Sequence, residues 1–222
     1  MSRAARFTAL AAVGAVVGCG GGSNGGGTGP CTPGAATQLV KNAGDAQAWY
    51  FNNPLPAALT VQAVDAHNCV VPGVVINWAV ASGGGGVSPT QSSTNASGLA
   101  SATDSVGSST PQSVTATPAL TSLPTLTFSA TASAPATSGA VSIKDNFFSP
   151  NDLTVQAGST VTWTWAGNSS HTLTFTSGPA PLPAETSAQL TGTRAITFNT
   201  VGTYGYHCTI HAGMSGTLHV VH

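Results

Sequence analysis

Charge is scarce in this chain: five Lys and Arg and six Asp and Glu amount to 5% of 222 residues, against about 25% in ordinary globular proteins. A surface so poor in Lys and Arg cannot form the basic stripe that nucleic acid requires, so no nucleic-acid partner is expected. There is no Cys-x-x-Cys-His arrangement, which argues against an attached c-type haem. The apolar run Phe7 to Val17 is too short to cross a bilayer comfortably. What the chain has in place of charge is Thr, Ser, Gly, Ala and Val, a composition that favours strands with hydroxyl-covered faces. An all-β protein is expected, and 222 residues are enough for two domains and a leader.

Residues 37–132 show short alternating runs punctuated by Gly, Pro, Asn and Ser. In Val74-Val-Ile-Asn-Trp-Ala-Val-Ala81 the side chains of Val74, Ile76, Trp78 and Val80 fall on one face, because strand side chains alternate. Leu59 to Asp65, Ser113 to Thr117 and Thr125 to Thr131 give further strands, Ser82 to Val87 reads as a loop, and an antiparallel sandwich follows. The order Leu59-Thr-Val-Gln-Ala-Val-Asp65, Val71-Pro-Gly-Val-Val-Ile-Asn-Trp78, Gly83-Gly-Gly-Gly-Val-Ser-Pro89 and Thr94-Asn-Ala-Ser-Gly-Leu-Ala100 resembles bacterial Ig-like domains of the invasin and intimin type. That resemblance implies a spacer or adhesion module. The scattered Asp45, Asp65, Asp104 and His67 read as solvated loop groups.

Ser133-Ala-Pro-Ala-Thr-Ser-Gly139 reads as a linker, and a second domain spans 140–222. Its strands are expected at Val141 to Lys144, Leu153 to Gln156 and, after a turn at Ala157-Gly158, Thr160 to Trp165. A further strand is expected from Thr203 to Cys208, with Tyr204, Tyr206 and Cys208 projecting to one side and His207 to the other. Beyond it, Cys208-Thr-Ile-His-Ala-Gly-Met214 places a thiolate, an imidazole and a thioether in seven residues, and His171 offers a second imidazole from another strand end. Soft sulfur ligands beside two imidazoles suit copper in both oxidation states. Zinc is the rival, because Cys and His also bind it, and a metal-free sandwich end with packed His and Met is the other alternative.

From Val141 to Val221 the chain resembles the plastocyanin-like cupredoxins, through Phe147-Phe-Ser-Pro150, Val155-Gln-Ala-Gly-Ser-Thr-Val-Thr-Trp163, Tyr204-Gly-Tyr-His-Cys-Thr209 and Gly216-Thr-Leu-His-Val220. The resemblance implies two Greek-key sandwiches in the whole chain, the second holding one type 1 copper on His171, Cys208, His211 and Met214. It also implies a non-enzymatic carrier that passes single electrons between a donor and an acceptor protein, through the edge of His211. Two departures concern the surroundings of the ligands: Ile210 stands where Pro is common, and Thr172 where Asn is frequent. His207 directly precedes the copper Cys, as does a second-copper ligand in copper nitrite reductases. An oxidoreductase subunit using His207, or an adhesion scaffold with a vestigial copper fold, are therefore the competing functions.

Met1 to Gly18 has a basic start at Arg3 and Arg6 and an apolar run, the pattern of an export signal. Val16-Val-Gly-Cys19 resembles the lipobox of bacterial lipoproteins, which implies an acylated Cys19 at the mature terminus, followed by a Gly-rich tether through position 36. The expected location is the bacterial cell envelope, lipid-anchored at its periplasmic or outer face. Gly20 lacks the Asp that often retains lipoproteins at the inner membrane, which leans the reading toward the outer membrane. Once the leader is removed, Lys41, Lys144 and Arg194 face six carboxylates, a mildly acidic chain, and a monomer is expected. With Cys19 lipidated and Cys208 a ligand, Cys31 and Cys69 form a candidate disulfide in an oxidising compartment; two free thiols are the alternative.

Overall fold

The computed structural model describes residues 31–222. The expected leader, Cys19 and most of the tether lie outside the described residues. All regular structure among the described residues is β. The first nine strands are β1 (Gln38–Ala43), β2 (Gln47–Tyr50), β3 (Leu59–Val64), β4 (Val75–Ser82), β5 (Gly85–Ser88), β6 (Gln91–Ser93), β7 (Leu99–Val106), β8 (Gln112–Pro118) and β9 (Leu126–Ser133). They form one sheet in the order β1-β3-β7-β5 and another in the order β2-β9-β8-β4-β6. Strict alternation drives the pairing: Leu59, Val61 and Ala63 of β3 are buried against Ile76 and Trp78 of β4 and Val114 and Ala116 of β8 in one core. Fully burying a side chain of Val to Phe size contributes about 1.5–3 kcal/mol, so this core is the main stabilising term of the first sandwich.

In the first sandwich three details differ from the sequence reading. Gly85–Ser88, which overlaps the expected loop Ser82 to Val87, pairs antiparallel with Val106 to Thr103 of β7, a pairing hidden because glycines carry no side chain to reveal alternation. Asp65 and Asp104, read as solvated, are buried at 3% and 2% exposure. Asp65 is buried because its carboxylate accepts the N–H groups of Gly34, His67 and Cys69 at 2.8–2.9 Å, closing the loop after β3. Asp104 lies on the inward face of β7 between Ala102 and Val106, so strand alternation carries it inside, and its Oδ1 has no partner. Cys31 and Cys69 are each disulfide-bonded.

The remaining strands are β10 (Ala136–Lys144), β11 (Phe147–Ser149), β12 (Asp152–Trp165), β13 (Thr174–Ser177), β14 (Gly192–Phe198), β15 (Gly202–His207) and β16 (Ser215–Val221). The sheet order is β11-β10-β12-β16-β15-β13, with β14 also on β12. The segment expected as a linker is therefore largely strand: Ala136 pairs with Val155 and Ser138 with Thr160. Backbone pairing, which small residues such as Ala, Ser and Gly do not impede, overrides the loop-like composition there.

The expected turn at Ala157-Gly158 is a corner within one continuous strand. Gly158 adopts φ 89°, a left-handed conformation that glycine reaches without strain. The first half of β12 thereby pairs with β16 and the second half with β10 and β14. Both layers of the sandwich thus share one strand. Between them Trp163, Tyr206, Phe148 and Leu218 are almost wholly buried. Tyr206 meets Phe148 edge-on at 4.9 Å and Trp163 at 5.6 Å, arrangements that add about 0.5–1.5 kcal/mol each.

Candidate metal centre

The site is built at the end of β15. Tyr204 and Tyr206 are buried and His207 half-exposed, so the alternation carries the next residue, Cys208, back inside at 4% exposure. The chain then leaves the sheet and returns at once, because His207 is paired with Ser215 of β16. This seven-residue loop is closed by Cys208 N–H donating to Met214 O at 3.0 Å and Met214 N–H donating to His211 O at 3.3 Å. Met214 is buried at 2% exposure in the same cluster as Cys208.

His171 comes from the far side, after β12. Its backbone exchanges hydrogen bonds with Gln189 at 3.0 and 3.1 Å, and Trp165 Nε1 donates to its carbonyl at 2.9 Å. The ring is fully buried. His171 Nδ1 lies 3.8 Å and His211 Nδ1 3.6 Å from Cys208 Sγ, and the two rings are 4.6 Å apart. A first-row metal ion bonded to imidazole nitrogen at about 2.0–2.1 Å and to thiolate at about 2.3 Å, in a trigonal plane, holds nitrogen and sulfur about 3.8 Å apart. Both nitrogen–sulfur distances therefore fit a shared metal ion.

Burial opposes ionisation of Cys208. The N–H groups of Thr172 and Ile210 are foremost among the contacts that outweigh it and bring the thiol down to about 6, which favours thiolate, the form that binds metal, at neutral pH. Thr172 takes the place where Asn is frequent in the resembled family. Its N–H points at Sγ at 3.5 Å, and its hydroxyl accepts Thr209 N–H at 2.8 Å, so the residue links the two ligand-bearing loops.

His171, Cys208 and His211 thus come together, with Met214 buried in the same cluster. Among the described residues His207 joins no group of three or more His, Cys or carboxylate side chains. His219 contacts Thr203 at 3.1 Å and Asp152 at 3.5 Å, and His222 bonds through its backbone to Asn53. Sequence reasoning missed Asp145. Its carboxylate accepts from Asn168 and Ser169 beside His171, and these bonds, with that of the Ser169 hydroxyl foremost, hold it at about 2. A lone Asp in a hairpin turn has no periodic signature, and only the folded chain brings it to the ligand.

The family model Cupredoxin-like domain matches residues 118–220. Plastocyanin of Scenedesmus fuscus is 36% identical over 83 residues, covering 33% of this chain and 85% of that protein. Amicyanin-alpha of Methylorubrum extorquens is 38% identical over 85 residues, covering 37% of this chain and 71% of its own. A solved structure of oxidised plastocyanin from Dryopteris crassirhizoma aligns with 37% of this chain and 99% of its own, at 29% identity and TM-score 0.33. With a relative of more than one-third identity matched over most of its length, this chain belongs through its C-terminal sandwich to the cupredoxin family, with plastocyanin and amicyanin.

Proposed function

We propose that this protein is an extracytoplasmic blue copper protein that carries single electrons through one type 1 copper held by His171, Cys208, His211 and Met214. The observation that carries the reading is the convergence of two Nδ1 atoms on one buried thiol sulfur, at 3.8 and 3.6 Å. Bound copper would supply one-electron exchange between its cuprous and cupric states. The protein's part is to hold that geometry. β15 and β16 fix Cys208 and Met214, the Gln189 and Trp165 contacts fix His171, and a scaffold that does not rearrange keeps the cost of changing oxidation state low. His211 is half-exposed and Ile210 is 49% exposed, so the His211 edge and its apolar rim are the proposed port for donor and acceptor proteins. Encounters of this kind use small, transient interfaces.

The finer parts of the reading rest on sequence pattern. The first sandwich is proposed to be an invasin-type Ig-like spacer. Cys19 is proposed to carry lipid that holds a monomeric chain at the bacterial envelope, outer membrane preferred. Titration of the purified protein with cupric ion tests the central claim. An intense visible band with a one-to-one endpoint and a narrow copper hyperfine splitting is expected, and Cys208→Ser should remove the band. A colourless protein, or a band that survives Cys208→Ser, excludes the proposed ligand set.

A further inference from the structure

Asp145 occupies the turn between β10 and β11, and its carboxylate gathers the loop that leads to His171. Oδ1 accepts Asn168 N–H at 2.7 Å, Ser169 N–H at 2.9 Å and the Ser169 hydroxyl at 2.7 Å, while Oδ2 accepts the Asn168 side-chain amide at 3.3 Å. Gly167 makes the approach possible: a Cβ there would sit 2.5 Å from Asp145 Oδ1 and 2.9 Å from its backbone nitrogen. Beyond Asp145, Ser169 Oγ lies 3.2 Å from His171 Nε2, and that nitrogen is 3.6 Å from Asp145 Oδ1.

The protons in this chain of contacts can be assigned. An ionised carboxylate only accepts hydrogen bonds, and a serine hydroxyl has one proton to give. At 2.7 Å that proton goes to Asp145, so toward His171 the Ser169 oxygen accepts, and Nε2 carries the ring proton. Nδ1, 3.8 Å from Cys208 Sγ, is then left unprotonated with a free lone pair, the state a metal ligand needs.

We propose that Asp145, acting through Ser169, is a positioning residue that fixes the tautomer and orientation of His171 before metal binds and lowers the reduction potential of the bound ion. The second half rests on the copper reading above; the first does not. A carboxylate behind the imidazole makes the ring a stronger donor and favours the more highly charged metal state. The imidazole is fully buried while the Asp145 side chain is 41% exposed, so solvent screens the distant charge and the Ser169 hydrogen bond carries the larger part of the influence.

The test uses the full chain and begins with Ser169→Ala, which removes the relay and keeps both backbone bonds to Asp145. Nitrogen NMR of the metal-free protein reads the His171 tautomer. The parent should show Nε2–H alone, Ser169→Ala should show a mixture with Nδ1–H, and Ser169→Thr should restore the parent signal. In copper-loaded protein, Ser169→Ala and Asp145→Asn should raise the potential. The cupric-to-cuprous affinity ratio should fall about tenfold, equivalent to about 59 mV for one electron. If Ser169→Ala leaves both tautomer and potential at parent values, Asp145 merely staples the loop and the proposal is wrong. A protein that takes up no copper would sink the electron-carrier reading instead, and the tautomer measurement would still decide the role of Asp145.

Discussion

In the proposed copper site Met214 would be the side chain through which the potential is most directly adjusted, because a stronger donor in its place would favour the cupric state. Met214→Gln is expected to lower the reduction potential and Met214→Leu to raise it with the colour kept; redox titration followed at the visible band checks both. Asp104 offers a separate test in the first sandwich. Burial raises its pKa above the ordinary 3.8, so the folded state prefers the neutral acid. Stability is lost as the pH rises past 3.8 and through the raised folded value. Asp104→Asn should therefore stabilise the protein at pH 7 by on the order of 1 kcal/mol. The gain should vanish near pH 3, where the parent residue is already neutral. Urea unfolding at the two pH values measures it.

At the scale of elements, the site depends on two short loops being held by strand ends. The loop 208–214 is constrained by the β15–β16 register, His207 opposite Ser215. The loop before His171 has no such ladder and is held by Asp145 from the β10–β11 turn. Gly167→Ala would place a methyl group against Asp145 Oδ1 and force the two segments apart. Overpacking of this kind costs about 1–3 kcal/mol, and here it would also displace His171. Thermal melts of the metal-free protein should show the loss of stability, and copper titration should show weakened binding. Unchanged copper affinity would mean that the loop can move without carrying its histidine.

At the scale of the molecule, the two hydrophobic cores are separate, one drawn from residues 36–132 and the other from residues 141–220. Residues Thr32–His222 nevertheless form one compact unit. A single buried side chain contributes a join: Asn53 accepts His222 N–H at 3.0 Å, and its amide donates to His222 O at 3.2 Å and to Phe51 O at 2.7 Å. The amide thus imitates a strand partner for the C-terminal residue. Asn53→Ala should cost about 1 kcal/mol, since it removes three part-buried hydrogen bonds. The transition of the C-terminal sandwich should fall by about 4–8 °C for each kcal/mol lost, which calorimetry would show. An unshifted transition would mean that the Asn53 bonds do not couple the two sandwiches.

Alternation in Val74 to Val80 and in Tyr204 to Cys208 was enough to place the cores and to turn Cys208 inward, because the period of a strand is a local property of the backbone. The Cys208-x-x-His211 spacing and the upstream His171 likewise pointed to three side chains that the fold brings together. Which carboxylate stands behind His171, that Asp104 is carried inside with no partner for Oδ1, that Gly85–Ser88 pairs as a strand and that residues 136–139 extend one were decided only in three dimensions. Asp145 and Ser169 are 24 positions apart, as are no two residues of one turn or strand. Their meeting is a consequence of how β10 and β12 pair, and pairing between distant strands is a property of the whole fold that no window of sequence contains.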